Sequence, residues 1–385
     1  MERARKKLLI ASIDAGLGHR MYAEAIRDGI EKLYPGKYEI RDMDYAKEVG
    51  SFALDAFHKN VWSFLLKHPN AAKIMNFLTE TSEKLSHRIE SLLARRFLAN
   101  SVRFASEYKP DIIVAVHPHT ISMALATKKK LGLDIPVIGV AIELFDANGL
   151  YAHAGVDSFI VFSERAKEKL TTKGVPEEKI RIFDFVVRPA FTGKFDSREE
   201  IRKRLGLLPD HITVLMTAGG EGICRFEKYI KATLKADLAV QIVVITGRNE
   251  RMEKKLSAIK VPAGSRTNVR VFGYVDNISE FLFMSDISFA KAGACSTMEA
   301  LLMAKPVMYF RYVAENERQN LEFVRRNGVG WYVPTSASYV RRLKEIENQP
   351  RILDDIREKY RKLNIKSGTE NVSRFIVNTM ERNRL

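Results

Sequence analysis

The sequence predicts an α/β protein of two doubly wound, parallel-sheet domains facing across a cleft. Three observations carry that expectation. Short β-rich apolar runs alternate with amphipathic helical stretches, the pattern of strands joined by crossover helices. The alternation lapses into a polar, basic stretch after Arg188-Pro189 and then starts again as a second series. The chain of 385 residues also exceeds what one hydrophobic core usually serves.

The first series comprises 7–13, 38–43, 111–117, 136–142, 157–163 and 180–186. These runs are mainly apolar, as strands buried on both faces of a parallel sheet must be. Between 45 and 109 the alternation breaks into helical sequence with no convincing strand. There Phe52, Phe57, Trp62, Phe64, Met75 and Phe77 interleave with Lys59, Lys67, Lys73 and Lys84. Such a stretch reads either as helices packing their apolar sides onto the sheet or as a basic amphipathic surface meeting lipid. The second series, 212–218, 241–247, 269–275, 287–292 and 306–311, begins after the polar stretch 192–203. The expected organisation is therefore a Rossmann-like domain over 1–190 with a helical insertion over 45–109, and a second over 191–365. Residues 366–385 form a last amphipathic helix that can pack back on the first domain.

Composition narrows the function classes. With 46% hydrophobic and 29% charged residues, the chain reads as a soluble globular protein. It has two cysteines, Cys224 and Cys295, and no recognisable signal sequence, which points to a reducing, cytoplasmic setting. The apolar run at 8–13 is too short to span a bilayer. A net charge of +16 calls for acidic partners: lipid headgroups, nucleic acid or nucleotide phosphates. No helix-turn-helix, zinc-finger or ribonucleoprotein signature accompanies it, so nucleic acid is not expected.

Ligands in open α/β sheets sit beyond the carboxyl ends of the strands, which singles out three loops. The first is Asp14-Ala-Gly16-Leu-Gly18-His19, where glycine permits close backbone approach and histidine titrates near neutral pH. Met21 stands where a dinucleotide fingerprint would need its third glycine. The second, Ala218-Gly219-Gly220-Glu221-Gly222, can cradle an anion with backbone amides before a helix. The third is Lys291-Ala-Gly293-Ala294-Cys295-Ser296-Thr-Met-Glu299. Ser296 and Glu299 have capping-box spacing, so Ser296 can cap the helix while Glu299 reaches back to it.

In this order the loops resemble those of the GT-B glycosyltransferases, specifically the family 28 branch of monogalactosyldiacylglycerol synthases and bacterial diacylglycerol glucosyltransferases. Gly18-His19 falls in that branch's opening loop, and His117-Pro118 matches the pair ending its third strand. His153-Ala-Gly-Val-Asp157, Val187-Arg188-Pro189, Gly219-Gly-Glu-Gly222, Phe272-Gly-Tyr-Val275, Lys291-Ala-Gly293 and Glu299-Ala-Leu301 follow in the expected sequence. Their colinearity over roughly 300 residues is the strength of the match.

The resemblance implies a UDP-sugar held mainly by the second domain and an acceptor approaching from the first. Tyr274 is expected to stack near uracil while the Val275 backbone reads its edge. Glu299 is expected on the ribose hydroxyls. Gly219, Gly220, Glu221, Gly222, Gly293, Ala294 and the amides of Cys295 and Ser296 are expected around the diphosphate, with Arg188 adding positive charge. Asn316, Glu317, Gln319 and Asn320 fall where the family contacts the donor sugar; Gly16, Gly18 and His117 lie on the acceptor side. Some residues depart from the family's pattern. The run 314–317 replaces Pro-Gly-Gln-Glu, Ala294-Cys295 replaces a smaller pair, and Glu143 with Asp146 stands where the branch commonly has Asp.

Sugar transfer needs a base for the acceptor hydroxyl and an anion site for the leaving diphosphate. The resemblance implies inversion at the anomeric carbon without a tightly held metal, and no cofactor beyond the UDP-sugar itself. His19 is the favoured base on the strength of its ordinary pKa, with Asp14, Glu143 and Asp146 as alternatives. The implied acceptor is a diacylglycerol-type lipid, and the implied partner an anionic membrane surface on whose inner, cytoplasmic face the enzyme sits peripherally. Other readings on the same fold are N-acetylglucosaminyl transfer to an isoprenoid-linked or lipopolysaccharide-type acceptor, UDP-sugar 2-epimerisation, and a non-catalytic nucleotide-sugar sensor.

Overall fold

The computed structural model describes residues 5–14, 18–50, 97–217, 226–313 and 315–383. The chain divides into two compact units, one of Met1–Pro189, Val313–Asn316 and Ser367–Leu385 and one of Ala190–Tyr312 and Glu317–Lys366. The aromatic and basic side chains expected from Phe52 to Lys84 lie outside the described residues, as do Gly16 and the whole loop from Gly219 to Gly222.

The first unit is a six-stranded parallel sheet in the order β2-β1-β3-β4-β5-β6. Its strands are β1 (Lys7–Ser12), β2 (Glu39–Asp44), β3 (Ile112–Ala115), β4 (Val137–Val140), β5 (Ser158–Val161) and β6 (Ile180–Ile182). The inner strands β3 and β4 are buried at every position, which their unbroken Ile-Ile-Val-Ala and Val-Ile-Gly-Val sequences allow. Helix α1 (Gly18–Leu33) follows β1, α2 (Pro118–Leu131) follows β3 and α3 (Glu164–Thr172) follows β5. A helix over 97–108 precedes β3.

The apolar run 180–186 yields a strand of only three residues. Its second half pairs elsewhere: Phe185 bridges Ser367, and the Gly368 amide donates to the Phe185 carbonyl at 2.8 Å. The Thr369 hydroxyl then donates to the Val187 carbonyl and accepts its amide, at 2.8 and 2.9 Å.

The second unit repeats the plan with the order β12-β11-β10-β7-β8-β9, again parallel throughout. Its strands are β7 (Ile212–Thr217), β8 (Val240–Ile245), β9 (Asn268–Phe272), β10 (Ile287–Lys291), β11 (Val307–Arg311) and β12 (Gly330–Tyr332). Its helices are α4 (Arg198–Arg204), α5 (Phe226–Ala236), α6 (Glu250–Ser257), α7 (Ile278–Met284), α8 (Ala294–Leu302), α9 (Glu315–Arg326), α10 (Ser336–Asn348) and α11 (Arg351–Leu363), with α9 starting on the short segment that belongs to the first unit. Strand β12 was not anticipated by the apolar runs, being three residues long at a sheet edge. It needs glycine where it pairs, because a Cβ on Gly330 would lie 2.2 Å from the Val307 carbonyl oxygen.

The last helix, α12 (Thr369–Arg382), lies in the first unit and packs on α1. Its buried positions Thr369, Val372, Ser373, Ile376, Val377 and Met380 recur at helical spacing, so one apolar face meets α1. Contact is close at Gly29, where a Cβ would stand 2.6 Å from both Ser373 Oγ and Thr369 Cγ2.

Each order contains a reversal point. In the first sheet it falls between β1 and β3, in the second between β7 and β10. These are the positions where strand-to-helix loops diverge and leave a crevice for ligand.

Candidate functional site

In the first unit, three neighbouring strands deliver the candidate residues. His19 is the second residue of α1, just beyond β1. His117 follows β3 and is the N-cap of α2, its Nδ1 accepting the His119 amide at 3.1 Å while its own amide donates to Thr120 Oγ1 at 3.1 Å. The His19 and His117 rings stand with centroids 4.5 Å apart, and the His119 ring lies tilted 5.1 Å from that of His117. His117, expected on the acceptor side, thus has a capping duty as well. Gly18 abuts the loop after β4, since a Cβ there would meet Ile142 Cδ1 at 3.7 Å.

That loop carries Glu143. It is 8% exposed; Oε1 accepts from Asn316 Nδ2 at 3.2 Å, and Oε2 is buried with no hydrogen bond among the described residues. Burial outweighs the hydrogen bonds that favour the charged form and lifts the carboxyl to about 7. Burial acts oppositely on His19, pressing its pKa to about 4, with the neighbouring His119 adding to the effect. Its Nε2 lies 3.2 Å from the hydroxyl of Tyr151, which is 1% exposed and sits in the 3₁₀ turn Gly149–Tyr151. Tyr151 is the residue that sequence reasoning missed.

The other acidic candidates differ in setting. Asp146 Oδ1 is 3.6 Å from Arg165 Nε and 3.5 Å from Lys169 Nζ, and it also accepts the Ala147 amide at 2.9 Å. It is buried among these contacts. Asp14 Oδ1 is buried with no hydrogen-bond partner among the described residues. Arg188 is half-buried and directly follows Val187, so the Thr369 clasp fixes its backbone.

In the second unit, β10 leads into α8 at the reversal point. The N-cap is Gly293, with extended φ −74° and ψ 152°, and the helix opens with Ala294, Cys295 and Ser296. This corrects the capping-box expectation: Ser296 is the third helical residue, and its Oγ donates to the Gly293 and Lys291 carbonyls, both at 3.2 Å. Gly293 already supplies the extended cap, so the first-turn amides and the positive end of the helix dipole face whatever lies beyond β10. Glu299 follows one turn later and is 8% exposed.

Lys291 Nζ pairs with Glu317 Oε1 at 2.6 Å, and Asn320 Nδ2 donates to the Ala292 carbonyl at 3.0 Å. Both Glu317 and Asn320 therefore brace the α8 turn, while Gln319 on the same helix is half-buried. Tyr274 is 64% exposed with the Arg248 guanidinium 5.2 Å from its ring centre, an arrangement that pins an aromatic face outward. The adjoining Val275 packs against the core of the second unit. Among the described residues no group of three His, Cys, Asp or Glu side chains comes together to hold a metal ion. Nor is any helix among them long and apolar enough to cross a membrane.

Two family models match the chain: monogalactosyldiacylglycerol (MGDG) synthase over 19–187 and the glycosyltransferase family 28 C-terminal domain over 213–362. Monogalactosyldiacylglycerol synthase 2 of Arabidopsis thaliana is 30% identical over 338 residues, spanning 84% of this chain and 70% of that protein. The chain belongs to the monogalactosyldiacylglycerol synthase family. The first model match begins at His19 and ends at Val187, so it takes in His19, His117, Glu143 and Tyr151, while Asn316 falls in the second. The spinach synthase is 29% identical over 340 residues, and the chain spans 63% of that relative's length. Acinetobacter baumannii MurG superposes with a TM-score of 0.59 at 13% identity, covering 97% of this chain and 99% of that one. The MGDG synthase family member described here thus has the GT-B fold.

Proposed function

We propose that the protein transfers a hexose from a UDP-sugar to a diacylglycerol-type lipid at a membrane surface, inverting the anomeric carbon without a tightly held metal. Family membership supports the reaction class. The observation that carries the chemistry is Glu143, a buried carboxyl with one oxygen held by Asn316 and the other without a partner among the described residues.

A general base works best with a pKa near the operating pH. Glu143, titrating at about 7, meets that condition, whereas a His19 ring that binds its proton only below about 4 accepts one poorly at neutral pH. We therefore assign the base to Glu143. The acceptor O–H proton passes to Oε2, the oxygen bonds to the anomeric carbon, and the bond from that carbon to the β-phosphate oxygen breaks. UDP leaves with the electron pair, its charge met by the α8 amides and by the Gly219–Gly222 loop. Tyr274 offers a platform for uracil and Glu299 a carboxylate for the ribose. The net charge of +16 and the insertion at 45–109 favour an anionic membrane surface, on the cytoplasmic side.

The test is UDP release from UDP-galactose, UDP-glucose and UDP-N-acetylglucosamine, with and without diacylglycerol in anionic vesicles, with the product's anomeric configuration read by NMR. Release that depends on diacylglycerol, gives a β-glycoside and survives EDTA is expected. Turnover that ignores the lipid, or retention of configuration, would sink the proposal.

A further inference from the structure

The Tyr151 hydroxyl occupies a place that constrains the chemistry of His19. It is buried with the rest of the side chain. A buried phenolic proton needs an acceptor, because a buried O–H left unpaired costs about 1–3 kcal/mol. Its hydrogen-bond partner is His19 Nε2 at 3.2 Å. A neutral imidazole has one bare nitrogen and one N–H. If Nε2 accepts from Tyr151, the ring proton resides on Nδ1.

We propose that Tyr151 is a positioning residue that locks His19 in the neutral tautomer protonated at Nδ1, so that His19 serves the acceptor as a hydrogen-bond donor while Glu143 removes the proton. This rests on the reading of Glu143 as base. The geometry supports it from three sides. The His117 ring, 4.5 Å from His19, restricts ring rotation. The 3₁₀ turn is itself fixed, Asn148 Oδ1 accepting the Leu150 amide at 2.9 Å. Burial keeps His19 uncharged at neutral pH. An uncharged donor beside a carboxylate base does not neutralise it, which a protonated imidazole would.

The decisive measurement is the ¹⁵N–¹H long-range NMR pattern of His19 in the full-length protein at pH 7, assigned by its absence in His19→Gln. A protonated Nδ1 and a bare Nε2 are expected, with a mixture of tautomers in Tyr151→Phe. In parallel, kcat for acceptor-dependent UDP release should fall about tenfold in Tyr151→Phe, the worth of one neutral hydrogen bond. KM for the UDP-sugar should stay within about twofold and the pH dependence of kcat should be unchanged, since the base is untouched. A wild-type ring protonated at Nε2, or a Tyr151→Phe protein with the same tautomer and the same kcat, overturns the inference. The wild-type NMR readout requires no activity. An inactive wild type would therefore sink the proposed function and leave the tautomer question answered.

Discussion

At the scale of single residues, the candidate site turns on what burial does to two groups. Glu143 and His19 start about two pKa units apart in the opposite sense, and the interior moves the acid up and the base down. The raised carboxyl is protonated below about 7 and becomes a base above it. The pH profile of kcat should therefore rise through about 7. Glu143→Gln should lose that rise and lower kcat by roughly 10²–10⁴-fold, with UDP binding by calorimetry preserved. A wild-type profile flat from pH 5 to 9 would count against the assignment. Sequence reasoning could name His19, Glu143 and Asn316, since each sits on a loop after a strand or in a family motif. It could not pair Glu143 with Asn316, 173 positions apart. Tyr151 was invisible for a different reason: a tyrosine in a loop reads as ordinary packing. Only its place eight residues beyond Glu143, past the same strand, hinted at more.

At the scale of elements, most strands could be read because a parallel strand covered on both faces has little choice but to be apolar. What could not be read was where each run leaves the sheet. The stretch 180–186 looks like one strand, yet its end is taken by Ser367 and Gly368, a pairing between distant segments that no local pattern encodes. That clasp is sharply constrained. A Cβ on Gly368 would lie 2.1 Å from the Asp184 carbonyl oxygen, a backbone atom that cannot rotate away. At Gly29 the obstructing atoms are side-chain tips, and alanine's better helix propensity offsets part of the clash. Gly368→Ala should therefore lower stability by about 1–3 kcal/mol or more, and Gly29→Ala by less, as read from urea midpoints. The reverse ranking would mean that the clasp yields more easily than the helix interface.

At the scale of the whole molecule, two series of strands and helices each fold into a sheet with its own reversal point, and the candidate residues gather at both. The Gly18-His19 and His117 turns flank the first; the Lys291–Ser296 turn follows β10, one of the two strands that flank the second. The doubling was legible from the restart after Arg188-Pro189. The amphipathic pattern of 366–385 was read as a helix able to pack back on the first domain, but it did not show that α1 is the surface it meets. Deleting 367–385 should accordingly leave the sheet of the second unit protected in hydrogen exchange while β1 and α1 exchange faster. Equal loss of protection in both units would contradict that.

The helix α12 also sets an order of events during synthesis. The ribosome makes β1 and α1 well before α12: the surface that covers α1 is encoded some 340 positions later, after every strand of the second unit. The second unit can close while translation continues; the earlier one must wait with an apolar helix face uncovered. A nascent chain stalled at residue 366 is thus the species on which a chaperone should be found.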